Sequence, residues 1–365
     1  MIRTATRLAL YFVWLLVIVQ FNAKTMAQTT PAQPQPLSHD IQIVSPHNYQ
    51  VFQRSSRTRG QIKVSGKVLS PCTRVEARIT GKSMLGILPG RWIEIPFTPV
   101  DRLFNSSLPI SAGGWYRVEI RATIGVRIMA EATVPNAGVG EVFVGAGQSN
   151  STNYGEERLT PATGMVSSFS GTEWQLAADP QPGAHDASQG GSFWPAFGDA
   201  MYERLHVPIG VAVTGHGGTS VEQWQPDTDL FRWMMTRIYK LGRSGFRAVL
   251  WHQGESDVAM SSDKYAGKLT NVINGSVNEA GWQFPWFVAQ VSYHSKTEPS
   301  FPRIRDGQKQ LWDTGIALEG PDTDTLDGDN RDTNGAGIHL SGKGLRAHGK
   351  MWADKVAAYV QGVLK

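Results

Sequence analysis

Four short segments of the sequence carry residue types that could perform acyl transfer. The first is Gly145-Ala-Gly-Gln-Ser-Asn150, which follows the apolar run 142–144 and predicts a buried strand ending in a glycine-rich turn. A serine at the end of such a strand has a fixed backbone, and its hydroxyl faces the edge where open α/β sheets bind ligands. Ser149 is therefore the candidate nucleophile. A tight structural turn that needs small residues explains the same stretch equally well.

A histidine is the second requirement of this chemistry. A serine hydroxyl is a weak nucleophile at neutral pH unless a base removes its proton, and imidazole has a suitable pKa. We assign this role to His339, in Gly337-Ile-His-Leu-Ser341 just before the last predicted helix. His216 and His252 occur in the same group of loops and are the alternatives. A structural role is the competing interpretation for all three histidines.

Hydrogen-bond donors for the tetrahedral oxyanion are the third requirement. The predicted donors are the backbone N–H groups of Ser149 and Gly218 and the side-chain amide of Gln253. A structural turn is the alternative role for the Gly217-Gly218 pair. Trp224, a few residues further on, is predicted to form a wall of a small acyl or sugar pocket, with a buried anchor as the alternative.

The elements that must position these residues can be read from residue 139 onwards. Short apolar runs alternate with helical segments, which is typical of a parallel sheet covered on both faces. Because the carboxyl ends of parallel strands lie at one edge, the four segments are predicted to converge on one crevice. The long polar loop 151–192 is predicted to shape the substrate site. The runs are 142–144, 209–213, 248–251, 286–289 and 316–318, and the helical segments are 194–205, 230–241, 263–279, 303–312 and 341–364.

Residues 40–136 have a different pattern. Apolar residues alternate with polar ones over short stretches separated by turn signals, for example Val75, Ala77 and Ile79. Several short strands of this kind predict a small all-β sandwich. No group of acids, histidines or serines with catalytic spacing occurs there, so this domain is predicted to be a scaffold or accessory domain.

The first residues predict export. Arg3 and Arg7 precede the apolar run 8–21, and Thr25-Met-Ala27 supplies small residues for cleavage, so residues 1–27 are a predicted signal peptide. An uncleaved membrane anchor is the alternative. The polar, proline-rich residues 28–39 are a predicted flexible lead-in. The protein is therefore expected to be secreted or periplasmic, with no stable membrane span after cleavage.

Charge and cysteine content exclude several classes of protein. The formal net charge of +4 falls to +1 when residues 1–27, which hold three basic and no acidic residues, are removed. No Lys/Arg block of the kind that binds nucleic acid is left. Cys72 is the single cysteine, so an intrachain disulfide and a thiolate metal site are impossible. The acidic run 322–330 lacks the closing glutamate of an EF-hand and is predicted to be a solvated loop. We expect no metal and no cofactor.

The four segments together resemble a known family. Gly147-Gln-Ser-Asn150, Gly217-Gly-Thr219 with Trp224, His252-Gln-Gly-Glu255 and Gly337-Ile-His-Leu-Ser341 are similar to motifs of the sialate O-acetylesterase-like branch of the Ser-Gly-Asn-His (SGNH, GDSL-type) hydrolases. The resemblance covers roughly residues 139–365. It implies a three-layer α/β/α fold and metal-independent hydrolysis of acetyl esters on a carbohydrate such as xylan, xyloglucan or sialic acid.

Site residues also follow from the resemblance. Ser149 matches the nucleophile, His339 the base and Gly218 the oxyanion-hole glycine, while Gln253 stands where the wider superfamily has its asparagine. Glutamine keeps the same amide donor on a stem that is one methylene longer. The role of Gln253 is therefore implied by the resemblance as well as by its residue type.

One position departs from the family pattern. The wider superfamily has an aspartate three residues before the catalytic histidine, and this chain has Ala336 there. The acid that orients the histidine must come from elsewhere, and Glu255 is our prediction because it belongs to a matching motif. Asp257, Asp329 and Asp332 are alternatives. A Ser-His pair supported by a backbone carbonyl or a water is a further alternative.

The sequence as a whole predicts an exported serine esterase that removes O-acetyl groups from carbohydrate through an acyl-enzyme intermediate. A lipase or thioesterase on the same fold is the first alternative, and it would require a long apolar acyl channel. A carbohydrate-binding protein with a degenerate catalytic site is the second alternative, because of Ala336. Its signature would be binding of acetylated glycans without turnover.

Overall fold

The structure is a computed structural model that describes residues 40–364. These residues belong to one compact unit. The predicted signal peptide 1–27 and the lead-in 28–39 lie outside the described residues. Over the described range, the helices are either too short or too polar to cross a membrane.

The first region of the chain consists of β-strands. In β3 every second residue is buried, and Ile62 and Val64 are completely inaccessible, which is the pattern expected of a half-buried strand. Strands β1, β3, β9 and β8 form an antiparallel sheet in this order. The ten strands are β1 (Ile41–Ser45), β2 (Gln50–Gln53), β3 (Arg59–Val68), β4 (Arg74–Thr80), β5 (Lys82–Ser83), β6 (Gly86–Ile87), β7 (Ile93–Ile95), β8 (Phe97–Thr98), β9 (Leu103–Ser111) and β10 (Gly113–Ile124).

Strand β11 (Arg127–Gly147) joins this region to the rest of the chain. Its first half pairs antiparallel with β10, and its second half pairs parallel with strands that follow later in the sequence. One long strand therefore runs through residues 137–138, where the sequence predicts a domain boundary. The division into an accessory domain (40–136) and a catalytic domain (139–365) stays a prediction.

The second region alternates strands with helices. Strands β12, β14, β11, β15, β16 and β17 lie side by side in this order and are parallel, with β13 antiparallel at the edge. The strands are β12 (Val166–Phe169), β13 (Trp174–Leu176), β14 (Ile209–Val213), β15 (Ala248–His252), β16 (Trp286–Gln290) and β17 (Leu318–Asp322). The helices are α1 (Trp194–Leu205), α2 (Asp229–Leu241), α3 (Ser262–Ala280), α4 (Pro302–Asp313), α5 (Asp332–Gly335) and α6 (Gly342–Val363).

Two apolar clusters cover the parallel strands. Phe143 of β11 belongs to one cluster together with side chains of α1 and α6, whereas Val142 and Val144 belong to the other with side chains of α2 and α3. This division follows from the alternation of side chains along a strand. Strands β14 and β15 are completely buried, as their continuous apolar runs predict. The prediction of a mixed α/β fold is confirmed, with one large mixed sheet and six helical segments in residues 40–364.

Candidate active site

The turn after β11 holds the predicted nucleophile in a fixed position. Gly147 has φ of 133°, and a Cβ atom there would lie 2.0 Å from the carbonyl oxygen of His252, so only glycine fits where these strand ends meet. Ser149 begins a 3-10 turn (Ser149–Ser151) and is 5% exposed. Within the described residues, neither its hydroxyl nor its backbone N–H has a hydrogen-bond partner. The backbone is rigid, and the reactive groups are free.

The two neighbours of Ser149 connect this turn to other loops. The Oε1 atom of Gln148 accepts a hydrogen bond from the backbone N–H of Ser256 at 3.1 Å. The Nδ2 atom of Asn150 donates to Oε1 of Glu255 at 3.0 Å and to the carbonyl oxygen of Ile338 at 3.3 Å. Ile338 directly precedes the predicted base. Three of the four segments singled out in the sequence are therefore linked by hydrogen bonds.

His339 is partly buried and lies beside an aspartate. Its Nδ1 atom is 3.7 Å from Oδ2 of Asp332, an ion-pair distance somewhat longer than a hydrogen bond. Burial lowers the pKa of His339 below its ordinary value of 6.5, and the negative charge of Asp332 partly opposes this effect. The imidazole is therefore neutral at pH 7 and can accept a proton.

A tight turn brings Asp332 to the histidine. Thr333 and Asn334 both have left-handed backbones, with φ of 53° and 56°, and they reverse the chain directly after Asp332. The backbone N–H of Asp332 then donates to the carbonyl oxygen of His339 at 3.0 Å. Left-handed residues other than glycine are uncommon and cost free energy, which makes this turn a specialised feature.

Glu255, the acid predicted to support His339, occupies a different position. It is 2% exposed, accepts the hydrogen bond from Asn150 and lies 3.4 Å from Nε2 of His252. In residues 40–364, the carboxylate within 4.0 Å of a His339 ring nitrogen is that of Asp332. The assignment of Glu255 as orienting acid is therefore corrected: it holds loops together, and Asp332, one of the alternatives, lies at the histidine.

The electrostatics of Glu255 fit this structural position. Burial raises the pKa of the carboxyl group, but the hydrogen bond and charge of His252, together with the Asn150 amide, outweigh burial and keep the pKa below its usual range. The side chain is therefore ionised at neutral pH. An ionised acceptor makes the hydrogen bond from Asn150 stronger than a neutral one would.

The Gly217-Gly218 pair has one backbone N–H without a hydrogen-bond partner among the described residues. The N–H of Gly217 donates to Oδ2 of Asp186 at 2.6 Å, whereas the N–H of Gly218 has no partner among the described residues. A Cβ atom on Gly218 would meet nothing within 4 Å, so this residue faces open space. Asp186 lies after β13 and was not singled out in the sequence. It fixes the loop of the glycine pair and leaves Gly218 available. The prediction of one long loop over 151–192 is corrected, because strands β12 and β13 lie within it.

Gln253 and Trp224 lie beneath the crevice instead of lining it. Gln253 is completely buried. Its two amide hydrogens face three acceptors: Oδ2 of Asp257 at 2.7 Å, the carbonyl oxygen of Thr219 at 3.0 Å and Oε1 of Gln148 at 3.3 Å. No donor is left for an oxyanion. Trp224 is also completely buried, and its indole N–H donates to Oγ1 of Thr219. Both sequence assignments are corrected: these side chains support the glycine loop from behind.

The alternative bases are engaged elsewhere. The Nδ1 atoms of His216 and His185 are 2.8 Å apart, so each ring is the other's hydrogen-bond partner. His252 is 2% exposed and lies against Glu255. His339 is the one of the three candidates whose ring has no hydrogen bond to another described residue.

Tyr154 lies beside His339, and sequence reasoning missed it. Its ring is 38% exposed and lies 5.1 Å from the His339 ring, measured between centroids. A Cβ atom on Gly217 would lie 2.6 Å from the same ring, so tyrosine and glycine are in close contact. Burial and the charge of Asp186 raise the pKa of Tyr154, so its hydroxyl stays protonated. Its only sequence signal is its place four residues after the Gly147–Asn150 motif.

The acidic run 322–330 is partly a structural cluster. Both Asp322 and Asp324 pair with the guanidinium of Arg305 at 2.7 and 2.8 Å, and Asp324 also accepts from the backbone N–H of Ser292. The prediction of a solvated loop is therefore wrong for Asp324, which is 8% exposed, whereas the Asp322 side chain is 38% exposed. Within residues 40–364, no group of three or more His, Cys, Asp or Glu side chains could hold a metal ion.

Two solved structures have a fold similar to that of this protein. A carbohydrate acetylesterase from Xanthomonas citri superposes with a TM-score of 0.56 at 18% sequence identity, over 87% of this chain and 74% of that one. A protein from Arabidopsis thaliana superposes with a TM-score of 0.50 at 19% identity, over 62% of this chain and 99% of that one. At these identities the likeness concerns the fold.

The family is identified by the sequence of the second region. Residues 139–358, more than half of the chain, match the family described as carbohydrate esterase, sialic acid-specific acetylesterase, and the chain belongs to this family. A probable carbohydrate esterase of Arabidopsis thaliana is 32% identical over 85 residues, or 21% of this chain and 33% of that protein. The match thus spans about a third of the curated relative. The resemblance seen in the sequence is confirmed, and the family is one of carboxylic ester hydrolases.

Proposed function

We propose that this protein is an exported serine esterase that removes O-acetyl groups from a carbohydrate. The observation that carries the proposal is Ser149, whose hydroxyl is free on a rigid turn that is tied by Asn150 to the loop of His339. The family of the chain supports carbohydrate as the substrate class. An acetylated oligosaccharide or polysaccharide is the expected partner, with sialic acid and plant polysaccharides as the candidates.

The proposed chemical steps use the groups that have no hydrogen-bond partner among the described residues. Nε2 of His339, the nitrogen that faces away from Asp332, takes the proton of Ser149 as Oγ attacks the acetyl carbonyl carbon. The N–H groups of Ser149 and Gly218 donate to the oxyanion. The bond between the acetyl carbon and the sugar oxygen then breaks, and the protonated histidine gives its proton to this oxygen, which leaves as a sugar hydroxyl. Water hydrolyses the acetyl-serine by the reverse proton path.

Asp332 is the proposed orienting acid of this mechanism. Its carboxylate faces Nδ1 of His339, so it favours the tautomer that leaves Nε2 free to accept a proton, and it stabilises the imidazolium that forms. The distance of 3.7 Å is long for a hydrogen bond. Catalytic hydrogen bonds are often long without substrate and shorten in the complex. The proposed set is therefore Ser149, His339 and Asp332, with Ser149 and Gly218 as the oxyanion donors.

The proposal also includes the predicted SGNH-type domain, the accessory β-sandwich and export. The parallel order of six strands and the two apolar clusters support a three-layer α/β/α SGNH-type domain over residues 139–365. The antiparallel strands of residues 40–136 support an accessory β-sandwich. Export rests on the sequence of residues 1–27.

Replacement of the nucleophile tests the proposal. Ser149→Ala removes the attacking atom, and we expect loss of acetate release from a chromogenic acetate ester and from acetylated oligosaccharides, with an unchanged unfolding curve. Ser300→Ala, at an exposed serine outside the site, is the matched control. Mass spectrometry of the wild-type protein should detect an acetylated Ser149 after rapid quenching. Full turnover by the Ser149→Ala variant would exclude the serine mechanism.

The acyl chain length separates the acetylesterase from a lipase or thioesterase. The Tyr154 ring lies 5.1 Å from the His339 ring and limits the space beside the proposed base, so we expect hydrolysis to fall steeply as the acyl chain becomes longer than acetyl. A series of p-nitrophenyl esters measures this dependence. A rise in kcat/KM from acetate to octanoate would favour the lipase alternative, and glycan binding without any turnover would favour a degenerate site.

A further inference from the structure

A large cleft lies apart from Ser149. It has a volume of about 1160 Å³ and includes residues that directly precede β15 and β16, such as Arg247 and Phe284, together with residues of β2 and of the β12–β13 turn. Ser149 instead follows the carboxyl end of β11, which pairs in parallel with β15. Neither Ser149 nor His339 lines the cleft, so it is separate from the candidate active site.

The cleft combines aromatic faces with free amide groups. Trp282 and Phe52 are partly exposed on its surface. Gln61 and Gln283 also line it, and neither side-chain amide hydrogen-bonds another described residue. Trp282 borders a smaller depression of about 380 Å³ as well, so concave surface continues on both sides of this ring. Aromatic surface with a few unpaired polar groups is typical of sites for small organic ligands.

The charged side chains that line the cleft are all positive. Five of its lining residues are Lys or Arg, and none of the described lining residues is Asp or Glu. Lys63, Lys240 and Arg243 are exposed and have no carboxylate within 4.0 Å among the described residues. The whole sequence is nearly balanced, with 35 basic and 31 acidic residues. The positive charge is therefore a local feature of this surface, and it attracts anions.

We propose that this cleft binds an acidic oligosaccharide, one with uronic acid carboxylates. The carboxylates pair with Lys240, Arg243 and Lys63, a sugar face packs on Trp282, and Gln61 and Gln283 hydrogen-bond to hydroxyl groups. The cleft holds a charged glycan chain at a distance from the esterase crevice, which goes beyond the proposed reaction. Binding at this cleft does not require Ser149.

Isothermal titration calorimetry with tri-galacturonic acid tests the proposal on the full chain. We expect binding by the wild type and at least about tenfold weaker binding after Trp282→Ala, the size of effect of a central aromatic contact. The double variant Lys240→Gln/Arg243→Gln should show a similar loss. Lys296→Gln, at an exposed lysine outside the cleft, and Ser149→Ala should both bind as the wild type does.

A neutral trisaccharide and a single-stranded oligonucleotide complete the experiment. We expect the neutral sugar to bind at least about tenfold more weakly than the acidic one, which corresponds to about 1.4 kcal/mol. Equal affinity for both sugars, tighter binding of the oligonucleotide, or unchanged affinity in the Trp282 and double variants would each overturn the proposal. Loss of binding in Ser149→Ala would also overturn it, because the ligand would then occupy the esterase crevice. Failure of the esterase assay alone leaves these binding results unaffected.

Discussion

Glu141 and Glu255 lie towards opposite ends of the same parallel strands, and both are almost completely buried, at 0% and 2% exposed. The Glu141 carboxylate is saturated: it accepts from Arg54 at 2.6 Å, from Arg247 at 2.8 Å and from Gln53 at 2.8 Å. Glu255 accepts at Oε1 only, and its Oε2 atom is buried without a partner among the described residues. The Glu141 carboxylate has complete hydrogen bonding, and the Glu255 carboxylate does not.

The difference in hydrogen bonding between the two carboxylates follows from the roles of the two ends of the parallel strands. Arg54 and Gln53 come from the β-rich region, so their pairing with Glu141 attaches that region to the start of the parallel strands. At the other end, Ser149 and Gly218 have polar groups without a partner in residues 40–364, and Oδ1 of Asp332 is buried and unpaired. Unpaired polar groups cost stability and are expected where a substrate supplies the missing partner.

The largest expected effect concerns the acid beside His339. Asp332→Asn keeps the shape of the side chain but removes its charge, and we expect kcat/KM to fall by about 10² to 10⁴ while the unfolding curve hardly changes. The assay is hydrolysis of a chromogenic acetate ester. Asp329→Asn is the matched control, because its side chain is 87% exposed and faces Lys343.

The same assay distinguishes Asp332 from Glu255. If Glu255→Gln loses more activity per folded molecule than Asp332→Asn, and does so without a change in stability, then Glu255 is the orienting acid and the assignment made from the structure is overturned. We expect the opposite order, because Glu255 contacts Asn150 and His252 instead of His339.

The second prediction concerns the buried hydrogen-bond network around Glu141. Glu141→Ala leaves Arg54, which is 4% exposed, without its carboxylate, and we expect a loss of about 3–5 kcal/mol in the free energy of unfolding, measured by urea titration. The esterase activity per folded molecule should be retained. If this variant does not fold, Glu141→Gln gives a milder form of the same measurement.

An exposed ion pair provides the comparison for Glu141. Glu157 and Arg346 are paired at 2.6 Å, but their side chains are 50% and 55% exposed, so Glu157→Ala should cost at most about 1 kcal/mol. Equal losses for Glu141→Ala and Glu157→Ala would show that burial of the Glu141 network contributes nothing.

The third effect is on the pH profile. The mechanism needs neutral His339, and burial lowers its pKa, so the acidic limb of kcat/KM should lie below pH 6.5. The charge of Asp332 favours the protonated form and raises this pKa, so Asp332→Asn should move the limb to still lower pH. A limb above pH 6.5 in the wild type, or a shift to higher pH in the variant, would contradict the assignment.

The smallest expected effect is that of Gln53→Ala. This change removes the hydrogen bond from the Gln53 amide to the Glu141 carboxylate and the one that Gln53 Oε1 accepts from the backbone N–H of Val142, both at 2.8 Å. It leaves both arginines on Glu141, so we expect a loss of about 1–2 kcal/mol in the free energy of unfolding, below that of Glu141→Ala. Measured beside Glu141→Ala in the same urea titration, it separates the hydrogen bond from the ion pairs. A loss as large as that of Glu141→Ala would mean that Gln53, and not the charge, holds the network together.

The sequence by itself determined most helices of the second region and the family. Continuous apolar runs and amphipathic stretches are local signals, and five of the six α-helices in residues 40–364 begin and end within about one residue of the predicted bounds. The short helix α5 and the strands β12 and β13 were not predicted, and β17 begins at the end of the predicted run 316–318. The same signals placed Ser149, Gly218 and His339 in loops that follow strands. The strand-end rule for parallel sheets then predicted that these loops would meet.

Only the tertiary structure decided which side chains face the crevice. Gln253 and Trp224 have residue types suited to a site, but burial in three dimensions, which depends on the packing of distant segments, places them beneath it. Asp332 reaches His339 because two residues take left-handed backbones. Asn334 adopts this conformation readily, but Thr333 rarely does, so the sequence alone does not predict the turn. Partners that lie far apart in the chain, such as Arg54 and Glu141, leave no periodic signal at all, because their contact exists only once the strands between them have paired.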